Sequence, residues 1–417
     1  MVCHVYGVRI GLLSGLLLTG AMAAAESQSG HNTLSPAEAA EGWLLLFDGQ
    51  TLFGWQAAPK EAWQAAEEEL RANTGQPAKP AQTTKPHEGG KPATSALLLS
   101  TSPWADFLLR MDFRVDPGAQ ASLGLRTNPD PTAAGKAGAD GYELVLASED
   151  PSAWPLGSLK GRKKAAGAAL QPGWHTLEAR LEAGSIAVQV DGQEVLRYED
   201  PKPIRRGHLA LQVQTGSAAF RNIKLRPLGL RSIFTGKDLA GWKTYPQTPT
   251  KCTVTPEGYL RVQGGRGQVE SEGHYADFTL QLEVFVNGQG LNSGVFFRCI
   301  PGESMNGYEC QIHNGFVDGD RNKPKDCGTG GIFRRQNARR VVADDFQWLT
   351  LTIHANGPHV ATWVNGYPTA DWTDARPADP NPRKGRRLEA GTLQFQGHDP
   401  TTDLMFRNIR VVELPGR

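Results

Sequence analysis

The sequence predicts an all-β protein: two β-sandwiches in tandem behind an N-terminal leader. Three observations carry this. Gly 48 and Pro 28 among 417 residues break long helices and suit short strands joined by turns. Apolar and polar residues alternate with period 2 over several stretches. And one domain-sized unit is written twice.

The chain opens with Arg9 and an apolar run from Ile10 to Thr19, followed by the small residues Ala21-Met22-Ala23-Ala24-Ala25. The run is shorter than the roughly 20 residues a helix needs to span a bilayer. Residues 1–25 therefore read as a cleaved secretory signal, with an uncleaved anchor as the alternative. The expected location is secreted or periplasmic, with no membrane attachment after cleavage. Export permits disulfides, and Cys252, Cys299, Cys310 and Cys327 remain in the mature chain. None has C-x-x-C spacing. Cys299–Cys310, flanking one predicted hairpin, is the preferred pairing; free buried thiols are the alternative.

The repeat is explicit. Leu46-Phe47-Asp48-Gly49 to Gly54-Trp55 returns as Ile233-Phe234-Thr235-Gly236 to Gly241-Trp242, a period of about 187 residues. Trp104-Ala105-Asp106-Phe107 returns as Tyr275-Ala276-Asp277-Phe278, and Gly141-Tyr142-Glu143 as Gly307-Tyr308-Glu309. Trp174-His175-Thr176-Leu177 matches Trp348-Leu349-Thr350-Leu351, and Phe220-Arg221-Asn222-Ile223 matches Phe406-Arg407-Asn408-Ile409. The units span 40–228 and 230–415. The short join at Pro227–Leu230 implies that they touch.

Within each unit the elements read as strands. Phe278, Leu280, Leu282, Val284 and Val286 alternate with mostly polar neighbours, as do Phe107, Leu109, Met111, Phe113 and Val115. Asn365-Gly366 and Asp191-Gly192 mark tight hairpins, because both centres of a type I′ turn need positive φ. Glu61 to Ala72 has helical propensity, but its repeat partner contains the turn Pro256-Glu257-Gly258, so it reads as a hairpin. Gly75 to Thr94, rich in Pro, Lys, Gly and Thr, reads as a loop.

Lys+Arg 44 against Asp+Glu 43 leaves a net charge of +1, so there is no basic excess for nucleic acid. Ten Trp residues suit sugar faces as well as cores. The polar stretches sit in the second unit: Asn292 to Arg298, Gly307 to Asn314, Lys325 to Gly331 and Gln394 to Asp399. Alternation puts Glu309, Gln311 and His313 on one face of a strand, about 7 Å apart. Such a stripe could grip a sugar, or hold a divalent cation through Glu309, His313 and His398. A solvated outer face is the plain alternative.

These motifs resemble a known family. Leu-Phe-Asp/Thr-Gly…Gly-Trp, Asn292-Ser293-Gly294-Val295-Phe296-x-Arg298, Gly307-Tyr308-Glu309-x-Gln311-Ile312, Trp363-Val364-Asn365-Gly366, Gln396-Gly397-His398 and Phe406-Arg407-Asn408-Ile409 together are similar to the 3-keto-disaccharide hydrolase family. The resemblance implies concanavalin-like jelly rolls and an exported enzyme cleaving 3-keto glycosides, with a carbohydrate as its partner. For that chemistry, residue type suggests His313 or His398 as base, Glu309 as metal ligand or orienter, and Arg298 or a divalent metal opposite the enolate oxygen. Asn292, Gln311, Gln396, Lys325 and Asp326 would contact substrate. The first unit keeps the frame only: Gln311 becomes Val145, His313 becomes Ala147 and His398 becomes Gln214. Activity is therefore expected in the second unit, with the first a degenerate copy. A non-catalytic, lectin-like glycan-binding protein is the rival reading.

Overall fold

The computed structural model describes Met1 and residues 30–74, 95–128, 141–148, 150–166 and 171–416. The expected signal over residues 1–25, Met1 apart, and the expected loop over 75–94 lie outside these. Among the described residues no helix is long and apolar enough to cross a membrane.

The alternation in the sequence becomes four large sheets in two pairs. In the second sandwich the larger, eight-stranded sheet runs in spatial order Lys251–Val254, Leu260–Gln263, Asp403–Glu413, Phe278–Val286, Trp348–Asn356, His359–Val364, Tyr367–Thr373, with Arg231–Ser232 also paired to Asp403–Glu413. The five-stranded sheet runs Trp242–Thr244, Gly267–Ser271, Thr392–Gly397, Ser293–Cys299, Tyr308–Ile312. Every pairing in these two sheets is antiparallel. The first sandwich repeats both orders; its five-stranded sheet is Trp55–Ala58, Ala96–Ser100, His208–Thr215, Gln120–Thr127, Tyr142–Ala147. The duplicated motifs are thus duplicated topology. Trp63–Ala66 pairs with Glu69–Asn73, so the hairpin at Glu61 to Ala72 forms despite its helical propensity. Asn365 and Gly366 take φ 51 and 72, and Asp191 and Gly192 take 50 and 76, the positive values a type I′ turn demands.

Each core lies between its two sheets. Phe278, Leu280, Leu282, Val284 and Val286 meet Val295, Phe297, Tyr308, Cys310, Ile312, Leu393 and Phe395 in one buried cluster. The alternate residues of the five-stranded sheet must then face outward. That outward face carries the site. Residues from His31 on belong to one compact unit. Within it, Trp363 Nε1 donates to Leu45 O at 2.9 Å and Leu45 N to Gly366 O at 2.8 Å.

The expected Cys299–Cys310 disulfide is not made; all four described cysteines are free thiols. Cys310 lies opposite Val295 across the hairpin. Cys299 is four residues further along, roughly 13 Å by strand rise, against about 5.5 Å between the Cα atoms of a disulfide. Burial pushes both thiols up, away from the reactive thiolate.

Candidate active site

The outward face of the second five-stranded sheet is built from alternate residues of its strands. Gln268 and Glu270 come from Gly267–Ser271, and Gln394 and Gln396 from Thr392–Gly397. Gly294 and Phe296 come from Ser293–Cys299, and Glu309 and Gln311 from Tyr308–Ile312. Register places Glu309 beside Phe296, and Gln311 beside Gly294. Gly294 leaves room: a Cβ there would sit 2.7 Å from Glu309 Oε1.

Glu309 is the most perturbed carboxylate of this face. It is only 5% exposed, and burial pushes its carboxyl up to about 7, against the pull of Arg383. Arg383 Nη2 donates to Glu309 Oε2 at 3.0 Å. Arg383 Nε donates to Met305 O at 2.9 Å, and the guanidinium lies 4.9 Å from the Phe296 ring centroid and 5.7 Å from that of Phe333. A planar cation held by two aromatic rings and a carbonyl is oriented before any ligand arrives.

Around this pair the face is polar and incompletely bonded. Gln311 Nε2 donates to Asn292 Oδ1 at 3.1 Å and Asp326 Oδ2 at 3.2 Å, and Asn292 Nδ2 also donates to Asp326. Gln396 Nε2 reaches Met305 Sδ. The side-chain oxygens of Gln268, Gln311 and Gln396 are buried without a donor. Leaving such acceptors unmet costs free energy.

His398 is partly exposed, and its Nδ1 lies 2.9 Å from Asp399 Oδ2. Asp399 is drawn down to about 2, first by Thr401 and then by His398. Nδ1 donating to a carboxylate leaves Nε2 to exchange a proton with a ligand. His398 also acts on Glu309 electrostatically, so the two lie within range of each other. His313 behaves otherwise. Its Nδ1 accepts the Gly315 amide at 3.1 Å, which puts the proton of the neutral ring on Nε2. That leaves it no basic nitrogen toward substrate.

Other expectations change as well. Arg298 is not an oxyanion partner: it is 1% exposed, and its donors are taken by Ala276 O at 2.7 Å, Gly357 O at 2.8 Å, Arg387 O at 3.3 Å and Asp277 at 3.2 Å. Arg126 repeats this in the first sandwich with Ala105 O, Ala183 O, Ile204 O and Asp106. Both arginines sit at positive φ, 50 and 51. They peg corners of the frame, which is why both copies keep them. For a cation, the donor set fits poorly. Glu309 is engaged by Arg383 and His313 Nδ1 by an amide, and among the described residues no group of three or more His, Cys, Asp or Glu side chains converges. Lys325 is exposed, its backbone amide donating to Gly315 O.

Arg383 was not among the sequence candidates. It lies in Arg383-Lys384-Gly385-Arg386-Arg387, a run of half-buried arginines in which nothing marks the one that reaches Glu309.

The first sandwich differs where chemistry would need it. Glu143 persists opposite Gly124, but its carboxylate pairs with Lys160 Nζ at 3.3 Å. Leu99 stands at the register position of Glu270, and Ala210 at that of Gln394.

A family model described as the 3-keto-alpha-glucoside-1,2-lyase-like domain matches this chain twice, over residues 42–226 and 229–412. The chain belongs to that family. It carries that domain twice in tandem. No curated protein matches it. Among solved structures, a putative glycosyl hydrolase from Parabacteroides distasonis ATCC 8503 is similar at 16% identity and TM-score 0.39, covering 48% of this chain and 100% of its own. A second putative glycosyl hydrolase from that organism matches at 21% identity and TM-score 0.36, covering 44% and 99%. The carbohydrate-binding module CBM66 from Bacillus subtilis matches at 16% identity and TM-score 0.29, covering 41% and 94%.

Proposed function

We propose that the second sandwich cleaves 3-keto glycosides by elimination across C1 and C2, in an exported protein that meets its substrate outside the cytoplasm. A ketone at C3 acidifies the C2 proton. Glu309, with a carboxyl near 7, is poised to take that proton at neutral pH, because a base works best when its pKa lies near the operating pH. The electron pair of the C2–H bond moves into the enolate, and its charge grows on the C3 oxygen. Arg383 supplies fixed positive charge beside Glu309 for that oxygen. The enolate then expels the C1 substituent, whose oxygen takes a proton from His398. Water can add across the resulting double bond to complete a net hydrolysis. Gln268, Gln311 and Gln396 accept bonds from sugar hydroxyls.

The observation that carries this reading is the buried Glu309 held beside an oriented Arg383 on a face lined with unmet acceptors. The test is incubation of the purified protein with a 3-keto glucoside, with and without chelator, following release of the C1 substituent. Release in both arms supports the reading; no release in either contradicts it.

A further inference from the structure

We propose that the first sandwich carries a second carbohydrate site, a non-catalytic groove for a neutral glycoside on the outward face of its own five-stranded sheet. The proposal rests on the carbohydrate role of the family but not on catalysis in the second sandwich. Tyr142, Leu144 and Leu146 point into the first core, as do Ala121 and Leu123, so Glu143, Val145, Ala147, Gln120 and Ser122 face outward. With Gln214 from the neighbouring strand they line an open groove of about 290 Å³, at the lower end for small-molecule clefts.

The substitutions that disable chemistry here make a binding surface. Val145 and Ala147 give the floor an apolar patch where the second sandwich has Gln311 and His313. Trp154 forms a wall and is only partly buried. Its loop is fixed, because Asp150 accepts the amides of Ser152 at 3.0 Å and Ala153 at 3.1 Å, and Asp150 O accepts that of Trp154 at 3.1 Å. An aromatic side chain held over an apolar floor suits the C–H face of a pyranose. Polar groups stand around it. Glu143 and Lys160 offer an acceptor and a donor 3.3 Å apart, a match for neighbouring hydroxyls, and Gln214 Nε2 lies 3.4 Å from Ser122 Oγ. Lys160 is balanced by Glu143, and Lys164, 5.9 Å from the Trp154 ring centroid, by Asp150, so the groove favours a neutral sugar over an anionic one.

The experiment is calorimetric titration of the full chain with methyl α-D-glucopyranoside and maltose, on wild type, W154A, W154F and E309Q. Binding is measured without turnover, so failure of the catalytic reading does not affect it. The expected result is saturable binding that W154A weakens about tenfold or more. W154F should keep most of it, E309Q should leave it unchanged, and W154A should retain wild-type kcat/KM on a small 3-keto glucoside. Absence of saturable binding overturns the proposal. So does unchanged affinity in W154A with a wild-type circular dichroism spectrum, or binding abolished by E309Q alone.

Discussion

Arg383 Nη2 donates to Glu309 Oε2 at 3.0 Å, across 74 residues of sequence and from a loop to a strand. Burial raises the carboxyl and the guanidinium lowers it, and the balance leaves it near 7. A proton-transfer group is thereby tuned by one partner that can be removed.

R383M should shift the pH profile. Without the cation, the buried Glu309 carboxyl rises above about 7. A base works only when ionised, so in the wild type kcat/KM climbs as pH rises through about 7. In R383M that limb moves to higher pH, and activity at neutral pH falls by about tenfold or more. Measuring kcat/KM against pH for both proteins checks this; an unmoved limb would detach Arg383 from the titration.

H398Q imposes the residue the first sandwich already carries as Gln214. Gln cannot deliver a proton to the departing oxygen. A loss of roughly 10²-fold in kcat is expected, with less effect on substrates whose leaving group is already acidic. Comparing an alkyl with a nitrophenyl 3-keto glucoside reads the difference.

Arg298 and Arg126 should behave alike and as frame residues. Removing either leaves buried carbonyls without their donor, while Asp277 keeps Arg206 and the Gly357 amide and Asp106 keeps the Ala183 amide, at a cost on the order of 1–3 kcal/mol. Urea melts of R298Q and R126Q should show comparable destabilisation. The folded fraction of R126Q should keep wild-type turnover.

His354 gives a pH dependence of stability. Its ring is buried, bonded to Thr279 at 2.9 Å and packed 4.5 Å from the Trp104 ring, and burial lowers it to about 3. Above the ordinary histidine value of about 6.5 neither state is protonated and the contribution is flat. Below that value the unfolded chain binds the proton and the native one does not, so stability falls steadily toward pH 3. Melting temperatures between pH 7 and pH 4 should fall less in H354Q than in wild type.

The frame was legible because strand period and turn chemistry are local. Phe278 to Val286 alternates, Asn365-Gly366 turns, and the duplication overruled the helical propensity of Glu61 to Ala72. The site was legible only in part. Glu309, Gln311 and Gln396 fall on the outward face by alternation alone. Arg298 misled because a recurrent arginine inside a polar motif looks chemical, whereas a bulge turns its side chain to four frame acceptors. Arg383 was invisible because its role depends on how a long loop returns over Phe296, which no spacing encodes.

The most direct test is kcat/KM of E309Q on a 3-keto glucoside, beside wild type and E143Q. Gln keeps the shape and the hydrogen bond to Arg383 but cannot take a proton. The account predicts a fall of about 10²-fold or more for E309Q, an unchanged fold, and E143Q close to wild type. Activity of E309Q within threefold of wild type, or equal losses in both variants, would contradict it.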